Sequence, residues 1–293
     1  MNYCIKILLM CSVFHMTYGE NTPASAITCW GDSLTQNGIA VALSKIYSGV
    51  RTVNNQGVGG EPSTAISVRQ GGTPILVTFS NNLIPAGGPC PVQATTVNGD
   101  PKIRHAIKGS IGGVAGTLSR NISTGIYTWS RVDAGPAIVS APNTTLIVNT
   151  NHAEAHTVVL WFGRNNVNTD QTAEYVKDDL RRSIAHLQSS PRRFIVLGIT
   201  RSDYPEEYIG GRRANRINAL NNWIKTQWPD NYIETMDFLI AAHDPTNAQD
   251  AADVRNGIIP FSLRKTGDKT HLNAKGDMII AAEIKKMITM KQW

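Results

Sequence analysis

The stretch AITCWGDSLT, residues 26–35, decides the fold. Its first five residues are typical of a short buried strand, and residues 36–47 after it have a helical pattern. A serine at such a turn holds its hydroxyl above the sheet edge, close to the backbone N–H groups of the next helix. Ser33 is therefore a candidate nucleophile for acyl transfer. The alternative is that Asp32 and Ser33 only cap the helix.

Length and composition indicate a globular protein. The chain has 293 residues, of which 41% are hydrophobic and 17% charged, enough for one large α/β domain or one domain with a sizeable insertion. The formal net charge is +6, but the basic residues are scattered in short pairs. Because no basic run with interleaved aromatic residues is present, we predict no nucleic-acid partner.

The first residues follow the pattern of a secretory leader. Lys6 precedes an apolar run over residues 7–14, and the small residue Gly19 follows. We predict a signal peptide over residues 1–19 and a secreted or periplasmic location. The apolar run is too short to span a bilayer, so we expect no stable membrane span. After cleavage only Cys29 and Cys90 remain, and a disulfide between them and a simple buried role for Cys29 are equally open.

The rest of the chain has regions of two kinds, one rich in strand-forming residues and the other with alternating strand and helix patterns. Residues 71–151 are rich in Thr, Val, Ile, Gly and Pro, which predicts an inserted all-β domain, either a barrel or a sandwich. The flanking parts, residues 20–70 and 152–293, alternate strands with helices. After the insertion we predict strands at 156–162, 194–199 and 232–237, helices at 172–187, 213–228 and 273–287, and a long polar loop at 243–267.

This alternation predicts a parallel sheet covered by helices, with functional residues at the carboxyl ends of its strands. Candidate residues occur in four loops at such positions. They are Ser33, the glycine-rich residues 57–60, Asn165, and the pair Asp268 and His271. An ester hydrolase needs a nucleophile, a base with an orienting acid, and oxyanion donors. All of these residue types are present.

Four short blocks resemble the SGNH, or GDSL, hydrolase superfamily. They are GDSL at 31–34, NQGVGG at 55–60, GRN at 163–165 and DKTHL at 268–272. The resemblance covers roughly residues 26–66 and 155–290 and does not account for the β-rich middle. It implies a three-layer α/β/α, flavodoxin-like fold with the inserted β domain. The superfamily pattern usually reads Gly-x-Asn-Asp in the third block, whereas this chain has Asn166 in the last position.

The resemblance also implies roles for individual residues. Ser33 would be the nucleophile, His271 the base and Asp268 its orienting acid. The oxyanion donors would be the N–H groups of Ser33 and Gly60 and the side chain of Asn165. We predict no cofactor and no metal. His152 and His156 are four residues apart, but they lack the acidic context of a metal site and are predicted to be a plain surface pair.

The function implied is that of a secreted serine ester hydrolase that removes O-acetyl groups from a carbohydrate or cell-wall glycan. The predicted partner is therefore an acylated small molecule or glycan. One alternative is a carboxylesterase of the lipase or lysophospholipase type, and another is a catalytically retired carbohydrate-binding protein. Four aromatic residues are candidates for sugar stacking or, more commonly, for the core: Trp30, Tyr127, Trp129 and Trp161.

Overall fold

The computed structural model describes residues 26–150, 156–187 and 192–293. The strands are β1 Ala26–Gly31, β2 Thr52–Gly57, β3 Ile75–Phe79, β4 Leu83–Ile84, β5 Pro89–Thr95, β6 Ile107–Ile111, β7 Val114–Arg120, β8 Tyr127–Arg131, β9 Ile138–Val139, β10 Thr144–Val148, β11 Thr157–Trp161, β12 Phe194–Leu197 and β13 Tyr232–Ile233. The α-helices are α1 Ala40–Ile46, α2 Ser63–Gln70, α3 Asp170–His186, α4 Arg212–Gln227, α5 Thr235–Ala241, α6 Ala248–Asn256 and α7 Ala274–Met290. The predicted leader lies outside the described residues.

The fold is of the α/β class, built on a parallel sheet with strand order β13-β12-β11-β1-β2. The chain passes from β1 to β2 on one side and, much later, returns to β11 on the other side of β1. The strand order therefore reverses between β1 and β11. In open α/β sheets, ligands bind outside the carboxyl ends of the strands at such a point. This edge of the sheet is where the sequence places Ser33 and Asn165.

Side chains alternate along the sheet strands between two separate hydrophobic clusters, as the two-residue period of a strand requires. Ile27 and Cys29 belong to a cluster that includes residues of α1, α5 and α7. Trp30 belongs to the other cluster, with residues of α3 and α4. Because both faces of the central strands are covered, β11 and β12 are continuous hydrophobic runs in the sequence, whereas the edge strand β2 is polar and partly exposed.

The β-rich middle of the chain forms a closed antiparallel barrel with strand order β10-β3-β5-β8-β7-β6. All six strands lie within the predicted insertion at 71–151. The barrel core contains Trp129, which is fully buried and packs edge-on against Phe79 with ring centroids 6.4 Å apart. Ala65 and Val68 of α2 belong to the same cluster, so α2 packs against the barrel.

A buried carboxylate connects α2, α3 and the barrel. Asp179 of α3 accepts hydrogen bonds from the hydroxyls of Ser63, Thr64 and Thr73 and from the amide of Asn98. Burial raises the pKa of Asp179, and these four donors oppose that rise. These hydrogen bonds fix the start of α2, which follows the glycine-rich loop, relative to α3 and to the barrel.

Two sequence predictions near the C-terminal end are wrong. The last strand stops at Ile233, and residues 235–241 form α5 instead of continuing the strand. The predicted loop at 243–267 contains α6, whose N-terminus is capped by the Asn247 side chain and whose end is marked by Gly257 in the left-handed region. The polar surface of this short helix hides its periodicity, because its buried residues include the carboxylates Asp250 and Asp253.

The proposed disulfide does not form in the structure. Cys29 and Cys90 are both free thiols, one in the parallel sheet and the other in the barrel strand β5. Cys29 is fully buried, and this burial raises the pKa of its thiol to about 12. The alternative prediction, a buried strand residue, is therefore the one that the structure supports. Over the described ranges, no helix is long and apolar enough to cross a bilayer.

Candidate active site

The turn after β1 is tight and leaves Ser33 at the carboxyl edge of the sheet. Leu34 N–H donates to the Asp32 carboxylate at 3.0 Å, so Asp32 does cap this turn. Gly31 is required because an added Cβ would lie only 2.0 Å from the Thr35 hydroxyl oxygen. The predicted helix then begins as a π-helical turn, Thr35–Ile39, before α1. Asp32 therefore caps the same turn that holds the Ser33 side chain at the edge of the sheet, so the two roles are compatible.

Ser33, His271 and Asp268 form an unbroken hydrogen-bonded chain. The Ser33 hydroxyl oxygen lies 2.8 Å from His271 Nε2. On the opposite side of the ring, His271 Nδ1 lies 2.7 Å from Asp268 Oδ2. A carboxylate at Nδ1 fixes the tautomer in which Nε2 accepts the serine proton. The geometry is that of a nucleophile, a general base and an orienting acid.

The loop itself determines the charge and orientation of Asp268. Burial acts to raise the pKa of Asp268, but the backbone N–H groups of His271 and Thr270, together with the His271 ring, lower it to about 2. The two N–H groups donate to Asp268 Oδ1 at 2.9 and 2.7 Å, which leaves Oδ2 for the imidazole. The three-residue spacing between Asp268 and His271 makes this arrangement local to one turn.

Two backbone N–H groups are free to bind an oxyanion. In the part of the chain that the structure describes, the N–H groups of Ser33 and Gly60 donate to no protein acceptor. By contrast, Gly57 N–H donates to the Asn55 side chain at 3.0 Å and Gly59 N–H to the Gln36 side chain at 2.9 Å. Gly60 has a φ of +75°, a conformation that favours glycine. Of the three loop glycines, Gly60 is therefore the one whose N–H is available to an oxyanion.

Asn165 reaches the same edge, but its amide protons have protein partners. Asn165 Nδ2 donates to the Asp32 carboxylate at 3.1 Å and to the Glu61 carbonyl at 3.0 Å. An amide nitrogen carries two protons, so donation to an oxyanion requires one of these bonds to be exchanged. Burial raises the pKa of Asp32 to about 6, against the lowering effects of the Leu34 N–H group and the positive charge of Arg164. The sequence predicted Asp32 only as a cap, and its contact with Asn165 depends on the tertiary structure.

Asn166, the departure from the usual third block, holds the two oxyanion loops together. Its side-chain oxygen accepts the Ser63 N–H at 2.8 Å, and its amide donates to the Thr172 carbonyl at 2.9 Å. A carboxylate in this position could not donate to the Thr172 carbonyl. Arg164 fixes the same loop from behind through a bidentate ion pair with the buried Glu207 at 2.6 and 2.7 Å. Sequence reasoning identified neither of these supporting roles.

Other sequence candidates do not join the site. The four aromatic residues named as candidates for sugar stacking are all buried, so they belong to the core. His152 lies outside the described residues, while the ring of His156 lies 2.7 Å from the Thr28 hydroxyl. Within the described ranges, no group of three or more His, Cys, Asp or Glu residues is arranged to hold a metal ion.

No family model matches the chain. A tail spike protein of Salmonella phage epsilon15 is 28% identical over 232 residues, which cover 67% of this chain and 21% of that protein. The chain thus spans about a fifth of the length of this relative.

Among solved structures, the chain is similar to a member of the lipolytic protein G-D-S-L family from Veillonella parvula, with 13% identity and a TM-score of 0.47 over 90% of this chain and 98% of that one. It is also similar to a gut microbial diltiazem-metabolizing enzyme, with 12% identity and a TM-score of 0.46 over 90% of this chain and 46% of that one. Both structures are less than 25% identical to the chain and have TM-scores below 0.5, so the resemblance to the SGNH, or GDSL, superfamily rests on the four sequence blocks.

Proposed function

We propose that this chain is a serine carboxylic-ester hydrolase that removes O-acetyl groups from a carbohydrate or cell-wall glycan. The single observation that carries the proposal is the Ser33–His271–Asp268 chain, with distances of 2.8 and 2.7 Å, beside two free backbone N–H groups. A carbohydrate-binding protein has no need for a serine hydroxyl aligned on an imidazole. Retention of all three groups therefore supports catalysis.

The mechanism is acyl transfer in two steps. The Ser33 oxygen attacks the ester carbonyl while His271 Nε2 takes its proton, and the Asp268 carboxylate stabilises the imidazolium that forms. The N–H groups of Ser33 and Gly60 would bind the oxyanion of the tetrahedral intermediate. His271 then gives its proton to the leaving alcohol, and an acyl-enzyme remains. Water, deprotonated by His271, attacks the acyl-enzyme, releases the acid and restores the Ser33 hydroxyl.

Asn165 has a role in this proposal that follows from its two hydrogen bonds. It acts as the third oxyanion donor when one of its amide N–H groups gives up the hydrogen bond to Asp32 or to the Glu61 carbonyl and donates to the developing negative charge instead. Such an exchange breaks one hydrogen bond, to Asp32 or to the Glu61 carbonyl, and forms another to the oxyanion, so that both amide protons keep an acceptor. Because the Asp32 carboxylate accepts one of the Asn165 hydrogen bonds, the protonation state of Asp32 affects the orientation of the Asn165 amide.

The glycan part of the proposal rests on two further observations. The barrel strands lie in the chain between the glycine-rich loop and the Asn165 loop, which supports a role for the barrel in shaping the substrate cleft. The similarity to a phage tail spike protein supports a role at a bacterial cell surface, where acetylated glycans are exposed. We further propose a secreted or periplasmic location and, from the two hydrophobic clusters of the sheet, a three-layer α/β/α arrangement.

The test is hydrolysis of aryl esters of increasing acyl length, together with acetate release from acetylated glycans. We expect a preference for acetyl esters and a loss of about 10⁴-fold or more in kcat for Ser33→Ala. The matched control is Ser44→Ala, an exposed serine of α1. A fluorophosphonate should label Ser33 in the wild-type protein, as measured by the mass of the peptide that contains it.

Two outcomes would overturn parts of the proposal. Equal rates for wild type and Ser33→Ala would remove Ser33 from the reaction. A strong preference for long acyl chains would replace the acetylesterase by the lipase or lysophospholipase alternative.

A further inference from the structure

Residues 102–108, here called the basic segment, follow the loop after β5 and include the first two residues of β6. The segment reads KIRHAIK, and its four basic residues are all exposed: Lys102, Arg104, His105 and Lys108. Four positive or protonatable side chains within seven residues contrast with the scattered basic pairs elsewhere in the chain. The segment is therefore a concentrated positive patch.

The backbone of this segment is attached to the oxyanion loop. Arg104 N–H donates to the Glu61 carboxylate at 3.0 Å. Glu61 directly follows Gly60 and is itself buried in an ion pair with Arg69 at 2.8 Å. Because the Glu61 side chain is held from both sides, the position of Arg104 is fixed relative to Gly60. A substitution of the Arg104 side chain leaves this backbone bond in place.

The Arg104 side chain lies directly against the oxyanion glycine. A Cβ added to Gly60 would lie 3.2 Å from both Cζ and Nε of Arg104. Among the described residues, the guanidinium of Arg104 makes no hydrogen bond or ion pair with the protein. An exposed guanidinium with all its donors available, adjacent to an oxyanion donor, is suited to bind an anionic group of the substrate.

The other end of the basic segment borders a cavity of about 310 Å³ between the parallel sheet and the barrel. His105 and Lys108 line it, together with Trp30, Gln56 and Arg69. This volume is at the lower end of the range for small-molecule sites. The basic segment thus extends from the oxyanion loop to a cleft that can hold a neighbouring part of a polymer.

We propose that Arg104 binds a carboxylate of the substrate, so that the preferred glycan is an O-acetylated acidic polysaccharide built from uronic acid residues. This inference rests on the proposed function. In an O-acetylated uronate, the ester and the carboxylate belong to one sugar ring, so a group beside Gly60 lies within one ring of the ester carbonyl. The planar guanidinium binds a carboxylate through two parallel hydrogen bonds, which Lys cannot reproduce. His105 and Lys108 attract the next acidic residue of the chain.

The experiment compares acetate release from an O-acetylated oligogalacturonide and from an O-acetylated neutral xylo-oligosaccharide of equal length. The readout is the ratio of kcat/KM for the acidic over the neutral substrate. We expect a ratio well above one for wild type and a fall of about tenfold to a hundredfold in Arg104→Gln, mainly through KM. Arg104→Lys should fall in between. Raising the ionic strength from about 20 to about 500 mM should lower the wild-type ratio.

The matched charge control is Lys285→Gln on the exposed face of α7. It removes the same charge from a helix that does not belong to the barrel, and should leave the ratio unchanged. Failure of wild type to hydrolyse an aryl acetate would overturn the proposed function itself. Aryl acetate hydrolysis with a ratio near one, or a ratio unchanged in Arg104→Gln, would overturn only this inference. A preference for a phosphorylated glycan over the uronate would overturn the carboxylate assignment.

Discussion

At the carboxyl edge of the parallel sheet, polar side chains from four distant stretches of the chain meet in hydrogen bonds. Inside the barrel, the buried positions are filled by apolar side chains around Trp129 and Phe79. The two regions share α2, which begins near the first and packs against the second. The comparison suggests that the site depends on exact polar partners, whereas the barrel depends on volume. Substitutions should therefore affect activity at the sheet edge and stability in the barrel.

The largest effect is expected for His271→Ala. Removal of the base should lower kcat for an aryl acetate by about 10⁴-fold or more, equivalent to about 5.5 kcal/mol of transition-state stabilisation. The thermal unfolding midpoint should change little, because the ring is partly exposed. The control is His243→Ala at the end of α5. A His271→Ala variant with near wild-type kcat would contradict the catalytic role of this edge.

The next effect is expected in the barrel, for Trp129→Ala. Loss of this fully buried indole and its edge-on contact with Phe79 should lower the free energy of unfolding by about 3–5 kcal/mol. Denaturant unfolding measures this change, with Trp223→Ala at a partly buried position as the smaller control. At a temperature where the variant is folded, kcat for an aryl acetate should stay within a few-fold of wild type. A large loss of kcat in the folded Trp129→Ala variant would contradict the expectation that barrel substitutions affect stability and not activity.

Asn165→Ala should have an intermediate effect, again at the sheet edge. Loss of one oxyanion donor typically costs about 10²–10³-fold in kcat, or about 2.7–4 kcal/mol. Here the substitution also removes the hydrogen bond that the Asn165 amide donates to the Asp32 carboxylate. Steady-state kinetics should show the loss in kcat more than in KM, with the exposed Asn222→Ala as the control. An unchanged kcat would show that Asn165 makes only the hydrogen bonds to Asp32 and the Glu61 carbonyl and is not an oxyanion donor.

The smallest effect concerns a buried carboxylate beside the sheet edge, Asp277 of α7. It is 7% exposed and lies under Gly38 of the π-helical turn. Burial raises its pKa from 3.8 to about 7, against the effects of Lys265 and Lys45. Because the folded pKa is higher than the unfolded one, the folded state loses stability as pH rises from about 4 through about 7.

Asp277→Asn should therefore stabilise the protein more at pH 8 than at pH 5, by about 1–3 kcal/mol. Denaturant unfolding at both pH values measures the difference, and the exposed Asp230→Asn is the control. A stabilisation that is equal at the two pH values would show that the charge is not the cause.

The local rules of sequence were sufficient for much of the fold. The apolar run of β1, the amphipathic pattern of α3 and the change of texture at the barrel all predicted their elements, because each depends on neighbouring residues. The barrel strands β5, β6 and β7 are not marked by a local apolar pattern, since they contain Pro, Gly and polar residues whose strand conformation comes from pairing across the barrel. The α5 and α6 helices were missed because they are short and carry few apolar residues on a clear stripe.

For the site, the sequence by itself determined which residue types are present and the local Asp268–His271 turn, because three-residue spacing fixes that contact. Only the tertiary structure decided that Ser33 lies 2.8 Å from His271, 238 residues away, and that Gly60 rather than Gly59 has a free N–H. It alone revealed that both Asn165 protons have partners and that Arg104 of the insertion lies against Gly60. The physical reason is that these contacts join loops that are distant in the chain, and their geometry depends on how the strands are ordered in the sheet.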